Sequence, residues 1–516
     1  MINFIDGFNF KDLFVLDLAN NHQGDLQHAL EIIKKCSDVV DKMDVKAGIK
    51  FQFRDLPSFV HESERDNSDN SHVSRFLSTM LSWSDFKVMK NAADEAGLIT
   101  ICTPFDEVSV QKIIDMKFDI IKVASCSATD WPLLEKIANA GLPIIASTGG
   151  LEFEHIDRLV SFLQHRGCNF ALMHCVSIYP TPDYACNLRN IAGLKERYPN
   201  IVIGWSTHEA PEDTIHVGLA AALGAEMFER HVGLETEHIT LNKYSSTPAQ
   251  LTEWISSYKR ARILLGSKER SAPLPQERDA LDSLTRGVFA NRELKVGERI
   301  SRNDVTFAFP AKTGQVLTGM WSDNLIVKEP ISNGAPVIAK KIKFPDITLE
   351  SILKENIHHV KALLNKANIS LNPQFTTEYS HHYGIKNFSK VGVVLINVIN
   401  RDYAKKILVQ LPGQQHPAHY HKVKEETFLV TWGTLIVTVE DKETIMRPGD
   451  VLTVYPGVWH SFKTDTGCVF EEISTKAING DSVYRDPKIN KLSVQERKTI
   501  VDHWGRFQMH NKLTNK

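Results

Sequence analysis

Eight short apolar runs punctuate the first 265 residues, with amphipathic segments between them. The runs cover 13–18, 48–52, 98–102, 119–123, 143–146, 170–174, 201–204 and 225–229. Between the first two, Ala29, Ile32, Ile33, Cys36, Val39, Val40 and Met43 recur at spacings of three and four, the period of a helix with one buried face. Strands alternating with helices make βαβ units and a parallel sheet, and eight such units in this length fit a closed (β/α)8 barrel. A doubly wound open sheet satisfies the same alternation. No G-x-G-x-x-G follows any run, which weakens its dinucleotide-binding version.

The 516 residues exceed what one barrel needs, and the pattern changes after it. Residues 1–265 read as the barrel domain. Residues 266–283, charged and carrying two prolines, read as a linker. A small β-rich domain follows at 284–345 and a connecting helix at 346–372. Residues 373–480 alternate in the β manner with Gly and Pro turns, as a small barrel does, and 481–516 read as a polar, helical C-terminal tail.

Composition excludes several partner classes. A hydrophobic fraction of 42%, 24% charged residues and a formal charge of −2 leave no basic stripe for nucleic acid or an anionic membrane. No apolar run approaches the roughly 18 residues that span a bilayer. The N-terminus lacks a basic region followed by an apolar core, so it is not a secretory signal. Seven scattered cysteines with no C-x-x-C pair read as reduced thiols, and the expected location is cytoplasmic.

The chemistry of a (β/α)8 barrel gathers at the C-terminal ends of its strands. Those ends read Lys50-Phe51-Gln52, Cys102-Thr103-Pro104, Lys122-Val123-Ala124-Ser125, Ser147-Thr148-Gly149-Gly150, His174-Cys175-Val176-Ser177, Ser206-Thr207-His208 and Glu229-Arg230-His231. Two lysines and several hydroxyls converging on one mouth suit a phosphorylated, carboxylate-bearing anion. His208 and His231, on adjacent strands, suit one divalent metal bound through neutral imidazoles, and a metal there would act as a Lewis acid on an aldehyde oxygen. Singly, a strand-end lysine is more often solvated and a lone histidine more often structural. Their joint occurrence at one mouth is what carries weight.

These segments resemble the sialic acid synthase family, which joins phosphoenolpyruvate to an N-acetylmannosamine-type sugar. The resemblance runs through Asn21-His22-Gln23-Gly24, Ile49-Lys50-Phe51-Gln52, Cys102-Thr103-Pro104-Phe105, Ile121-Lys122-Val123-Ala124-Ser125, Ser147-Thr148-Gly149, Tyr179-Pro180-Thr181-Pro182 and Glu229-Arg230-His231. It implies phosphoenolpyruvate contacts at Lys50, Thr103, Lys122, Ser125, Ser147 and Ser206. It also implies a manganese or magnesium site at His208 and His231, and sugar contacts at Gln52, Tyr179 and Asn242. Asp17 stands where the family carries Glu, and is the expected proton-handling group beside the two histidines. The stretch from Arg286 to Val305 resembles the antifreeze-like (SAF) domain of that family, whose members are typically dimers with this domain capping the partner's barrel. Departures cluster on the sugar side: Ser127 for an acidic residue, Ser177 for Asn, Asn242 for Asp, and Phe309 for the arginine that holds the N-acetyl group. A phenyl ring cannot donate to an amide oxygen. The expected substrates are therefore phosphoenolpyruvate and an aldose, N-acetylmannosamine-like or different, feeding surface polysaccharide synthesis.

A second metal site is legible in Gly413-x5-His419-Tyr420-His421-x4-Glu426-x6-Gly433, followed by Pro456-Gly457-Val458-Trp459-His460. This resembles the cupin motifs. Alternate residues of a strand share a face, so His419 and His421 point inward together, and with Glu426 and His460 they suit Mn, Fe, Ni or Zn. The run from Gln415 to Glu426 is also similar to cupin sugar isomerases acting on lyxose or mannose. That likeness implies proton transfer by Lys424 and Glu472. A cupin that only binds sugar or promotes oligomerisation remains the other reading, as does a barrel reduced to a scaffold.

Overall fold

The computed structural model describes residues 7–65, 70–267, 270–371, 375–478, 480–503 and 508–509. The chain forms two compact units, Met1–Ala272 and Pro273–Lys516.

In the first unit eight parallel strands close on themselves: β1 (Leu13–Asp17), β2 (Ala47–Phe53), β3 (Ile99–Pro104), β4 (Ile120–Val123), β5 (Ile144–Ser147), β6 (Phe170–Cys175), β7 (Ile203–Thr207) and β8 (Met227–His231). Each grows from one of the apolar runs. The helices between them bury the faces that the spacing marks. The helix Leu26–Met43 starts where the Asp25 carboxylate accepts from Gln27 N at 2.7 Å and His28 N at 3.2 Å, satisfying free N–H groups of the first turn. It then turns Ala29, Ile32, Ile33, Cys36, Val39 and Val40 into the core. An aromatic set between strands and helices joins Phe14, Phe228 and Trp254, with Phe14 and Trp254 edge to face at 5.5 Å. Full burial of a phenylalanine side chain contributes about 1.5–3 kcal/mol.

Closure fixes the level at which functional residues meet. β1 pairs with both β2 and β8, and Asp17 lies in register with Lys50 on one side and His231 on the other. In the same way Gln52 faces Thr103, and Ser206 faces Glu229.

The second unit contains a small β-structure and a larger one. In the small one, Gly287–Ala290 pairs antiparallel with Val305–Ala308, and Leu325–Val327 lies between Arg299–Ile300 and Ile342–Lys343, around Val288, Ile300, Val305 and Leu325. In the larger, an eight-stranded and a five-stranded antiparallel sheet enclose a core that includes Leu408, Phe428, Val437, Phe462 and Phe470, the architecture of a cupin. The helix Leu349–Lys366 buries Leu353, Ile357, Val360 and Leu364 in a second core.

Two expectations need correction. The stretch expected as a linker holds an exposed helix, Pro275–Ser283, because Pro275 at its first turn is preset for helical φ. Residues 268–269 of that stretch lie outside the described residues. The expected helical tail contains strands as well as helical turns: Ser482–Tyr484 pairs with the strand Gln415–His421, and Lys498–His503 pairs with Thr376–Ser380. Thr499, Ile500 and Val501 are β-branched and Val501 is fully buried, so the sheet wins there, and among the described residues of the tail the turns Pro487–Asn490 and Val494–Arg497 are helical. Residues 504–507 and 510–516 lie outside the described residues.

Candidate active site and metal centres

At the C-terminal mouth of the barrel the two lysines meet on one carboxylate. Glu229 Oε1 lies 3.0 Å from Lys50 Nζ, and its Oε2 lies 3.0 Å from Lys122 Nζ. Ser206 donates to Oε1 at 3.1 Å. Asp17 Oδ2 makes a second ion pair with Lys50 at 2.9 Å and stands 3.4 Å from His231 Nε2. All of these side chains are buried.

Burial disfavours both ammonium ions, yet the outcomes differ. Asp17 and Glu229 together outweigh burial at Lys50 and hold it above the usual lysine range, whereas Lys122, with Glu229 alone, ends below it. Burial works against the Glu229 carboxylate too, but Lys122 and Lys50 keep it well below the usual carboxylate range and so charged. Around this cluster Thr103 Oγ1 and Ser147 Oγ are buried with no hydrogen-bond partner. Such groups cost free energy unless a ligand satisfies them. Ser125 Oγ accepts from Gly149 N at 3.0 Å. Gly149 leaves room for these hydroxyls: a Cβ there would sit 2.7 Å from Ser177 Oγ and 2.8 Å from Ser125 Oγ and would make them shift.

His208 and His231 face each other with ring centroids 5.3 Å apart. His208 Nδ1 donates to Val176 O at 2.8 Å, which leaves its Nε2 lone pair free. Burial pushes His208 down to about 3 and also lowers His231. Two neutral, partly oriented imidazoles fit a divalent cation. Tyr179 packs its ring 4.3 Å from that of His208, and Gln52 Nε2 reaches Asp17 Oδ2 at 3.4 Å. Asn242 is turned elsewhere: its amide donates to Asn21 Oδ1 at 3.4 Å, and its oxygen accepts from Tyr244 N at 3.1 Å. Glu229 stands in the last of the strand ends, but no role was assigned to it from the sequence. Its two-residue spacing from His231, which puts both on one face of β8, is the signal that would have found it.

In the cupin, His419 lies in register with His460 across neighbouring strands. Each histidine is oriented through Nδ1: His419 to Pro417 O at 3.0 Å, His460 to Val458 O at 3.1 Å, and His421 to Asp481 Oδ2 at 3.2 Å. The Nε2 atoms of His460 and His421 point at Glu426, at 2.7 Å and 3.4 Å. With Nδ1 donating, Nε2 of His460 turns a lone pair onto a carboxylate oxygen, an arrangement that a cation between them relieves. Ligand atoms of all four residues lie within 4.8 Å of one another. Burial keeps His419 far below its ordinary value, and Lys424, His421 and His460 overcome burial to keep Glu426 ionised. Lys424 contacts Glu426 and lies 3.0 Å from Glu472.

The fold and these sites define a barrel whose mouth gathers two buried lysines and two facing histidines, joined in one chain to a cupin with a cluster of potential metal ligands. The chain belongs to the NeuB family, whose profile matches residues 42–270; the Cupin domain profile matches residues 407–471. It is 32% identical to an uncharacterized protein of Methanocaldococcus jannaschii over 57% of this chain and 83% of that one. It is 29% identical to the N-acetylneuraminate-9-phosphate synthase of Drosophila melanogaster over 62% of this chain and 92% of that one. Among solved structures, a spore coat polysaccharide biosynthesis protein E from Chromobacterium violaceum aligns with a TM-score of 0.63 and 41% identity, covering 65% of this chain and 100% of that one. Among the described residues no helix is long and apolar enough to cross a membrane.

Proposed function

We propose that the barrel condenses phosphoenolpyruvate with an aldose, giving a 2-keto-3-deoxy acid and phosphate for surface polysaccharide assembly. The observation that carries this reading is the pair Lys50 and Lys122 on Glu229, ringed by the unpartnered hydroxyls of Thr103 and Ser147. The lysines supply positive charge to the phosphate and carboxylate of phosphoenolpyruvate. Thr103, Ser125, Ser147 and Ser206 supply directed hydrogen bonds. Gln52 and Tyr179 hold the sugar over the two histidines. A Mn2+ or Mg2+ ion bound by His208 and His231 would polarise the aldehyde oxygen.

C3 of phosphoenolpyruvate forms a bond to the aldehyde carbon, whose oxygen takes a proton and becomes a hydroxyl. Water adds at C2, the bond from C2 to the bridging oxygen breaks, and phosphate leaves to give the ketone. In this reading Asp17 takes the proton from water, which its position between Lys50 and His231 supports. Positioning and fixed charges carry most of the rate. A panel of aldoses with phosphoenolpyruvate and Mn2+, scored by phosphate release and product mass, tests this. Phosphoenolpyruvate binding with no phosphate release from any aldose would sink it.

For the cupin the favoured reading is metal-dependent isomerisation or epimerisation of a sugar. Lys424 and Glu472, 3.0 Å apart beside Glu426, support it as a proton-transfer pair. Solvent deuterium entering an aldose or ketose, and lost in His419→Ala, is the expected result; no exchange in any sugar favours a sugar-binding or oligomerisation module. The SAF-like domain is proposed to cap the barrel of a second copy, which sedimentation of the intact chain as a dimer would support.

A further inference from the structure

Beyond Lys50 and Gln52, the row along β2 carries one more charged side chain that takes no part in the proposed condensation. Residues 49, 51 and 53 of this strand are Ile, Phe and Phe, all buried in the hydrophobic core. The alternate positions, Lys50 and Gln52, face the barrel interior, and Arg54 continues their row just beyond the strand end. At about 3.3 Å per residue, the row runs some 13 Å outward from the lysine.

Arg54 is held with unusual constraint. Its guanidinium carbon lies 4.1 Å from the ring centroid of Phe76 and 3.7 Å from that of Phe105. Covered by two aromatic rings, a guanidinium can donate only from its edge, and such stacking fixes the plane of the fork. One edge position is used: Nη2 donates to Gln52 Oε1 at 3.0 Å. Nε is buried without a partner.

No carboxylate among the described residues lies within ion-pair distance of Arg54. The neighbouring acids are committed elsewhere. Asp17 serves Lys50 and accepts from Ala19 N at 3.0 Å. Asp106 accepts from Ser109 N at 2.7 Å, Ser109 Oγ at 2.8 Å and Asp55 N at 2.8 Å. Burial pulls Arg54 down to about 10 and the positive charge of Arg75 adds to that, while Asp17 and Asp106, at longer range, offset only part of it. Arg54 lines a small cavity of about 30 Å³ with Asn20, His22, Gln52, Phe76 and Thr79. Arg54 is thus a stacked, pre-oriented cation with spare donors, in contact with the proposed sugar-holding Gln52 and lacking its own counter-ion.

We propose that Arg54 is the specificity residue for the acceptor, binding an anionic group, phosphate or carboxylate, at the end of the sugar remote from the aldehyde. This rests on the condensation proposed above. Along β2 the open-chain acceptor then lies with its aldehyde over Lys50 and the histidines, its middle on Gln52 and its charged end on Arg54. An anion restores charge balance to Arg54 and accepts from the fork in its plane, as carboxylate and phosphate oxygens do.

The test compares N-acetylmannosamine with its 6-phosphate, and mannose with mannuronic acid, in the full-length protein with Mn2+. Both kcat/KM and equilibrium binding to the phosphoenolpyruvate-loaded protein are read, for the wild type, Arg54→Gln and Arg54→Lys. The expected result is a preference of at least about tenfold for one anionic member, with phosphate and carboxylate arms telling the two sources apart. That preference falls to near unity in Arg54→Gln and is partly kept in Arg54→Lys, which has the charge without the fork. Phosphoenolpyruvate affinity stays within about twofold, as expected of a site that does not touch it. A wild type that prefers the neutral sugars, or an Arg54→Gln variant that weakens neutral and anionic sugars equally, overturns the proposal. If no aldose is turned over, Arg54-dependent binding of the charged sugar still supports the anion site while the condensation itself fails.

Discussion

Glu229→Gln removes the one negative charge that Lys50 and Lys122 share while keeping the shape of the side chain. The two lysine side chains are 5% and 3% exposed, so neither can turn to water without opening the barrel mouth. Removing one partner of a buried ion pair costs about 3–5 kcal/mol. Lys50 keeps Asp17 at 2.9 Å, so most of the loss falls on Lys122, for which no other carboxylate is within ion-pair distance among the described residues. Lys122 already lies below the usual lysine range and escapes by losing its proton, which holds the cost to about 3 kcal/mol, the lower end of that range. For a unit of this size that corresponds to a fall in Tm of roughly 6–12 °C. Phosphoenolpyruvate supplies the missing negative charge, so its stabilising shift is larger in the variant than in the wild type. Calorimetry of the full chain with and without phosphoenolpyruvate, following the transition of the barrel unit, measures both. A barrel transition within about 2 °C of wild type, or an equal ligand shift in the two proteins, would refute the view that Glu229 is the stand-in for substrate charge.

Other expectations follow from the same geometry. Gly149→Ala forces a methyl group against Ser177 Oγ and Ser125 Oγ, and the KM for phosphoenolpyruvate should rise about tenfold or more with a smaller change in Tm; an unchanged KM would count against Ser125 as an anion contact. His460→Ala should abolish metal retention by the cupin while leaving the barrel's phosphate release intact, read by metal content and activity on one sample. Acid should destabilise the metal-free protein. His22, His208 and His382 are held by burial near 4, 3 and 3, so the folded state binds fewer protons than the unfolded state below the ordinary value of 6.5. Stability is therefore lost as pH falls through 6.5, by about 2 kcal/mol per histidine at pH 5, and urea titrations at pH 7.5 and 5 check it.

The barrel was legible because each strand is a compact apolar run and each helix keeps its three-and-four spacing, signals that burial itself imposes. The lysines and histidines were legible because strand ends are where such a barrel concentrates chemistry. Asn242 shows the limit: it occupies a loop whose path no periodicity describes, and its amide is spent on Asn21. Arg54 was missed for a related reason, since stacking by Phe76 and Phe105 joins segments whose meeting no local pattern announces. The C-terminal segment misled because a strand that completes a distant sheet has only its β-branched residues to declare it.

The two faces of β2 tie substrate and core to one ruler. Sliding this strand by a single residue would drive Phe51 into the barrel mouth beside Glu229, and Lys50 among the rings of Phe118 and its neighbours. Single-residue insertions or deletions in β2 should therefore be almost absent from descendants of this chain. If the proposed condensation holds, changes of acceptor can instead accumulate at its outer end, where a substitution at Arg54 re-aims the far end of the sugar without disturbing Lys50, the proposed anchor of the other substrate.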